Sequence, residues 1–193
     1  MRDLDARTFA ALYGGAHGSL AVPMIALTLV GGGWAALALL PMVAWPGRPA
    51  VRAFGRALAA AIAVQALLVF GTKVAVGRVR PWIAMGLPAP IGAPHDGSFP
   101  SGHAAGAFCV AAFLAVAMPD RFPQSPWRAR SWAAFGVAIA TMIALSRVYL
   151  GAHFPTDVLG GAMLGSVVGM AGGRFYRGLT TSAQHGAIGG SSR

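Results

Sequence analysis

Ser146-Arg147-Val148-Tyr149-Leu150-Gly151-Ala152-His153-Phe154-Pro155-Thr156-Asp157 is a polar island between two apolar runs, residues 131–150 and 156–175. It puts a cation, an imidazole and a carboxylate close together in a chain dominated by Ala, Leu, Val and Gly. Proline is tolerated in the first turn of a helix but not in its interior, so Pro155 marks a helix start. His153 then stands just ahead of that helix and Asp157 lies in its first turn, where the carboxylate can receive an N–H from the imidazole. Such a contact fixes the tautomer and leaves the other ring nitrogen unprotonated, which suits a histidine to act as a nucleophile. In isolation a plainer explanation, an interfacial histidine satisfied by a neighbouring aspartate, serves slightly better.

The rest of the chain changes that balance. Hydrophobic residues make up 56% and charged residues 10% of the sequence, with a mean hydropathy of +0.63. Soluble domains have roughly 45–50% apolar and about 25% charged residues, so this is a membrane protein. Five apolar segments stand out, at 20–45, 53–76, 101–118, 131–150 and 156–175. A helix needs ~20 residues to cross a hydrocarbon core of ~30 Å, and several of these segments reach that length only with the polar residues at one end. The first is bent by Pro23, Gly31 to Gly33 and Pro41. The expected fold is an all-α, integral-membrane bundle of about five transmembrane helices, with an active site at one membrane face. Residues 1–178 form one domain, and 179–193, rich in Gly, Ser and Thr, read as a disordered cytoplasmic tail.

Composition also excludes several functions. The net charge of +10 does not point to nucleic acid, because the basic residues stand in small groups between apolar runs rather than in one stripe. The single cysteine, Cys109, lies in an apolar run and reads as a small buried side chain. Only five residues are acidic, with neither a carboxylate pair nor a Cys/His cluster, so no metal site or cofactor is expected. The N-terminus mixes Arg2 and Arg7 with Asp3 and Asp5, unlike a cleaved signal peptide.

If the segments alternate in direction, Lys73, Ser101, His103, Arg147 and Asp157 fall at one membrane face. The Pro- and Gly-rich link 77–100 joins them there as a lid or entrance. The opposite face receives Arg48, Arg52, Arg56, Arg121, Arg128, Arg130, Arg174, Arg177 and Arg193. By the positive-inside tendency that face is cytoplasmic, with the C-terminus. The protein is then a multi-pass protein of the cell (inner) membrane, with its active site on the extracytoplasmic, periplasmic face.

Two further stretches share that face. Lys73 and Arg80 are seven residues apart, so on a helix they lie nearly on one stripe and can face one anion. Pro100-Ser101-Gly102-His103 precedes an apolar run, so Ser101 is a natural helix N-cap and Gly102 allows close backbone approach. A helix N-terminus of this kind is a ready anion site. Ionisable groups at membrane depth are costly, and collecting three cations and two imidazoles at one face suggests a function.

Lys73 with six residues before Arg80-Pro81, then Pro100-Ser101-Gly102-His103, then Ser146-Arg147 with five residues before His153 and three before Asp157, resembles the three-part signature of the type 2 phosphatidic acid phosphatase (PAP2) superfamily. Members of that family often have six spans where five are read here. The resemblance implies a metal-independent phosphatase working through a phosphohistidine. His153 would attack phosphorus, His103 would protonate the leaving oxygen and later activate water, and Asp157 would hold His153. Lys73, Arg80 and Arg147, with the backbone at Ser101 and Gly102, would bind the phosphate. The substrate would be an amphiphile with its tail in the membrane lipids: an undecaprenyl pyrophosphate, a phosphatidylglycerol phosphate, a phosphatidic acid or a lipid A phosphate. A phosphotransferase using the same phosphohistidine and a non-catalytic lipid-binding or transport protein are the competing readings. Arg78 receives no role, His95 and Asp96 read as loop residues, and His17 and His185 fall outside the motifs.

Overall fold

A computed structural model describes residues 2–15, 18–32, 40–44, 48–90, 92, 95–119 and 124–189. Every regular element among them is a helix. In order these are α1 (Arg2–Leu12), α2 (Ala21–Val30), α3 (Leu40–Ala44), α4 (Pro49–Val76), α5 (Pro81–Ala84), α6 (Gly102–Ala117), α7 (Pro126–Tyr149) and α8 (Pro155–Gly189). Proline opens α4, α5, α7 and α8, where its missing N–H is no loss and its fixed φ is already helical. At the other end of α4, Gly77 takes a left-handed φ of 59° and its N–H returns to the Lys73 carbonyl at 2.9 Å. That cap stops the helix one turn past Lys73 and sends the chain across the face of the bundle.

The stretch Pro49–Ala84, α7 and the Pro155–Thr181 part of α8 are long and apolar enough to cross a membrane, and α2 and α6 are shorter apolar helices. These five correspond to the five apolar segments. The 16 residues of α6 rise ~24 Å, short of the ~30 Å core, so its polar start lies within reach of the membrane face. Of the segment 20–45, α2 supplies ten residues and ends at Gly31, and α3 packs separately on α4. Residues 33–39 and 45 lie outside the described residues, as do His17, Arg121 and Arg193. Contacts of Leu20 with Tyr149 and of Thr28 with Ser146 show that α2 runs antiparallel to α7.

The α6 and α8 helices form the tightest seam. A Cβ at Gly161, Gly165 or Gly169 of α8 would lie 2.4, 2.0 or 2.2 Å from the carbonyl oxygens of Ser101, Ala105 and Cys109 of α6. Small residues at every fourth position thus let the two backbones touch, the usual way for helices to pack tightly in lipid. At one end of the bundle Phe54, Phe113 and Tyr176 pack with ring centroids 5.4 to 6.2 Å apart. At the other, α1 covers the polar island, with Phe9 buried between Tyr13 and Phe154.

Residues 2–12, given no structure above, form a helix docked on the site. The backbone of α8 continues to Gly189, into the stretch 179–193. Hydroxyls of Thr180 and Thr181 donate to the Arg177 carbonyl at 2.9 and 3.0 Å, so polar residues bond back within the helix instead of breaking it.

Candidate active site

The α4 C-terminus and the turn after it deliver two cations. Lys73 is 8% exposed, and its Nζ donates to the Gly97 carbonyl at 2.6 Å and pairs with Asp96 Oδ2 at 2.9 Å. Arg80 precedes Pro81, which keeps its backbone extended (φ −75°, ψ 152°) and points the chain across the bundle. The Arg80 guanidinium is 2% exposed; Nε donates to the Asp96 carbonyl at 3.0 Å, Nη2 to Asp96 Oδ1 at 2.6 Å, and Nη1 to the Ala152 carbonyl at 2.9 Å. A third cation, Arg147, comes from the last turn of α7. Its Nη1 donates to Thr28 Oγ1 at 3.2 Å, while its Nε is buried without a hydrogen-bond partner. An unsatisfied buried guanidinium N–H is costly, and an anion in front of it would remove that cost.

The loop after α7 positions the nucleophile candidate. Gly151 has φ 81°, a conformation L side chains avoid, and the N–H groups of Ala152 and His153 both donate to the Arg147 carbonyl, at 2.9 and 3.2 Å. Arg80 Nη1 lies 3.2 Å from His153 Nε2. A guanidinium can only donate, so this contact assigns the lone pair to Nε2 and the proton to Nδ1. Nδ1 faces Asp157 Oδ2 at 3.7 Å and Ser98 Oγ at 3.5 Å. Burial pushes the imidazole down to about 4, with Arg80 and Arg147 adding to the shift and Asp157 opposing it, so His153 is neutral at physiological pH.

Asp157 is fully buried and held on several sides. Ser98 Oγ donates to Oδ2 at 2.5 Å, the Phe154 N–H to Oδ2 at 2.8 Å, and Arg78 Nη1 to Oδ1 at 2.6 Å. The Phe154 contact is half of a capping box, in which the third helical residue reaches back to the N-cap amide.

Lys73, Arg80, Gly102, His103, Arg147 and His153 line one cavity of about 780 Å³. From these groups it continues between α2, α4, α6 and α7 past Val69, Gln65, Leu114, Ile143 and Ile139 to Met118 and Trp132, so its walls turn apolar with depth. Asp157 and Ser101 stand behind its lining. The Ser101 amide donates to the Asp157 carbonyl at 2.9 Å and its hydroxyl oxygen accepts from the Ala104 N–H, so Ser101 ties α6 to α8 and its amide is committed. Gly102 and His103 are the first-turn residues that reach the cavity.

Sequence reasoning missed Arg78, Asp96, Ser98, Thr28 and Asp5. Arg78 sits 4.4 Å over the Phe154 ring and bridges Asp157 to Asp5, whose Oδ2 it contacts at 2.6 Å. Asp5 also accepts from the Thr156 N–H and hydroxyl, at 3.0 and 2.6 Å, which pins α1 to the start of α8. Asp96 is no mere loop residue, since both of its carboxylate oxygens engage cavity cations. One signal was available: three of the five acidic residues in this chain, Asp5, Asp96 and Asp157, belong to this network.

Comparison with known proteins bears on the family and the fold. The family model described as PAP2 superfamily matches residues 54–179. Phosphatidylglycerophosphatase B of Bacillus subtilis is 40% identical over 102 residues, 51% of this chain and 50% of that protein. Undecaprenyl-diphosphatase of Sulfolobus acidocaldarius is 37% identical over 73 residues, 38% of this chain and 31% of its own length. Decaprenylphosphoryl-5-phosphoribose phosphatase of Mycobacterium tuberculosis is 34% identical over 71% of this chain and 68% of that one. The chain thus spans half or less of the first two relatives. The crystal structure of the transmembrane PAP2 type phosphatidylglycerolphosphate phosphatase from Bacillus subtilis superposes with a TM-score of 0.73 at 25% identity, over 94% of this chain and 86% of that one. That of Aquifex aeolicus LpxE gives 0.65 at 26% identity, over 88% and 94%.

Proposed function

We propose that this chain, which belongs to the PAP2 superfamily, is a membrane phosphatase that hydrolyses the phosphate or pyrophosphate of a lipid through a phosphohistidine at His153. The observation that carries the proposal is the setting of His153: Nδ1 faces buried Asp157, and Nε2 faces the cavity among Arg80, Lys73 and Arg147. Phosphoryl transfer needs in-line positioning and neutralisation of the equatorial oxygens, which these three cations supply. Nε2 attacks phosphorus, the P–O bond to the rest of the lipid breaks, and His103, which takes up a proton when the phosphate's negative charge arrives beside it, delivers that proton to the leaving oxygen. Asp157 stabilises the charge that develops on the His153 ring. His103, now neutral, takes a proton from water; the P–N bond breaks as hydroxide adds, and orthophosphate leaves.

The apolar depth of the cavity supports a lipid as the phosphate's carrier, with the headgroup at the cations and a hydrocarbon tail between α4, α6 and α7. Named activities of the relatives are all phosphatases, and their printed names give glycerophospholipid and polyprenyl carriers. The charge asymmetry of the loops supports an extracytoplasmic site and a cytoplasmic C-terminus.

The test is phosphate release from a panel of lipid phosphates and pyrophosphates in detergent, with EDTA present. His153→Ala and His103→Ala should each lose at least ~10³-fold in kcat while the protein stays folded. Full activity of His153→Ala removes the nucleophile assignment. Labelled phosphate appearing on an added acceptor instead of in solution identifies a phosphotransferase.

A further inference from the structure

The cations of the site are already occupied. Asp96 Oδ2 lies 2.9 Å from Lys73 Nζ, and Asp96 Oδ1 receives Arg80 Nη2 at 2.6 Å, so one carboxylate spans two groups that line the cavity. Lys73, Arg80 and Arg147 converge in a poorly solvated pocket, where like charges repel strongly unless an anion joins them. In the substrate-free protein that anion is Asp96.

We propose that Asp96 is a tethered competitor for the phosphate cradle, a specificity-determining residue that must be displaced before a lipid phosphate binds. The inference rests on the phosphatase reading above. Two features suit the carboxylate to leave. Its side chain is 53% exposed, unlike Lys73 and Arg80 at 9% and 2%, so it can swing to water without uncovering buried surface. The backbone beside it also holds the cations independently: Gly97 O accepts from Lys73 Nζ at 2.6 Å, Asp96 O from Arg80 Nε at 3.0 Å, and Ala152 O from Arg80 Nη1 at 2.9 Å. When the carboxylate departs, Lys73 and Arg80 stay in place, with Nη2 and part of the ammonium turned toward the incoming oxygens.

The consequence is a charge threshold. A terminal phosphomonoester carries about −1.5 to −2 at pH 7, whereas the phosphodiester of an ordinary membrane lipid carries one negative charge. A tethered monoanion competes well against the second and poorly against the first. The site, facing a membrane surface crowded with phosphodiesters, is thereby kept for terminal phosphates.

Binding of inorganic phosphate to the detergent-solubilised full chain, followed by calorimetry and by phosphate-dependent Tm, tests the occupancy. Asp96→Asn should bind phosphate about tenfold more tightly than wild type, which corresponds to a cradle open in about a tenth of wild-type molecules. Asp96→Glu, which keeps the charge, should remain within threefold of wild type. Unchanged or weaker phosphate binding in both Asp96→Asn and Asp96→Ala overturns the proposal, and Asp96 then only positions Lys73 and Arg80. Selectivity is read from inhibition of lipid-phosphate turnover by dioleoyl phosphatidylglycerol in mixed micelles, which should strengthen at least threefold in Asp96→Asn. Equal inhibition of the two proteins overturns the threshold. Because phosphate binding is measured without turnover, tighter binding by Asp96→Asn in a protein that releases no phosphate from any lipid would sink the phosphatase reading and leave the tethered anion standing.

Discussion

Replacing Gly165 by alanine tests how the fold sets the site. Gly165 lies at the centre of the α6–α8 seam, and a Cβ there would be 2.0 Å from the Ala105 carbonyl oxygen and 2.8 and 2.9 Å from its C and Cα. All three neighbours are backbone, so no side chain can rotate away. To restore an ordinary contact of 3.4 Å, α6 and α8 must part by about 1.4 Å at that point. Ala105 is two residues beyond His103, a rise of ~3 Å along α6, so the shift reaches the imidazole almost undiminished. His153 and Asp157 belong to the other partner, at the start of α8. A misplacement of ~1 Å between reacting groups costs ~10²-fold, and overpacking of this kind costs ~1–3 kcal/mol. Gly165→Ala should therefore lose ~10²-fold in kcat for lipid-phosphate hydrolysis and unfold at a visibly lower temperature. Gly71→Ala is the matched control: it lies inside α4 with nothing within 4 Å of the new Cβ, and should gain ~0.5–1 kcal/mol with unchanged kcat. Near-wild-type activity and Tm in Gly165→Ala, or an equal loss in Gly71→Ala, would refute the claim that close backbone approach positions His103.

Three other outcomes can be tested, two of them in the network around Asp157. Arg78→Gln leaves buried Asp157 and Asp5 without their shared cation, so stability should fall by ~3 kcal/mol and kcat with it, whereas Asp5→Asn should loosen α1 and lower Tm with a smaller effect on kcat; equal kcat losses would show that the bridge acts through α1 alone. His153 has its pKa lowered from 6.5 to about 4 by burial, so the folded protein resists protonation where the unfolded chain accepts it. Its contribution to stability is complete above pH 6.5 and is lost as pH falls toward 4, and the nucleophile should be lost only near pH 4; an NMR titration that places the His153 imidazole, assigned by its absence in His153→Ala, near 6.5 would contradict this. Single cysteines at Gly92 and Gln124, both exposed, in a Cys109→Ser background should be reached by an impermeant reagent on intact cells at the first position only, and the reverse pattern would invert the proposed topology.

The sequence shows this site where covalent spacing suffices and hides it where folding must supply a partner. Lys73, Arg80, His103, Arg147 and His153 were readable because each sits at the polar end of an apolar segment, and alternation of the segments alone carries those ends to one face. Arg78 was not readable: its partners Asp5 and Asp157 lie 73 and 79 residues away, and nothing local distinguishes it from a cation at the membrane surface. Asp96 was hidden for a related reason, since a carboxylate in a Pro- and Gly-rich link looks solvated until the link folds back onto α4. Ser101 shows the converse case. Its position before an apolar helix rightly implied a cap, but the amide offered to an anion is taken by the Asp157 carbonyl, a contact that exists only because Gly161 and Gly165 let α8 approach so closely. The glycines of α8 therefore belong to the site as much as to the fold. The same close approach that joins the two helices commits the Ser101 amide, and Gly102 and His103 are the residues of the first α6 turn that line the cavity. Lys73 and Arg80, held by backbone carbonyls but mutually repelling, need an anion at all times, and on the reading proposed above Asp96 is placed to be that anion until a lipid phosphate arrives.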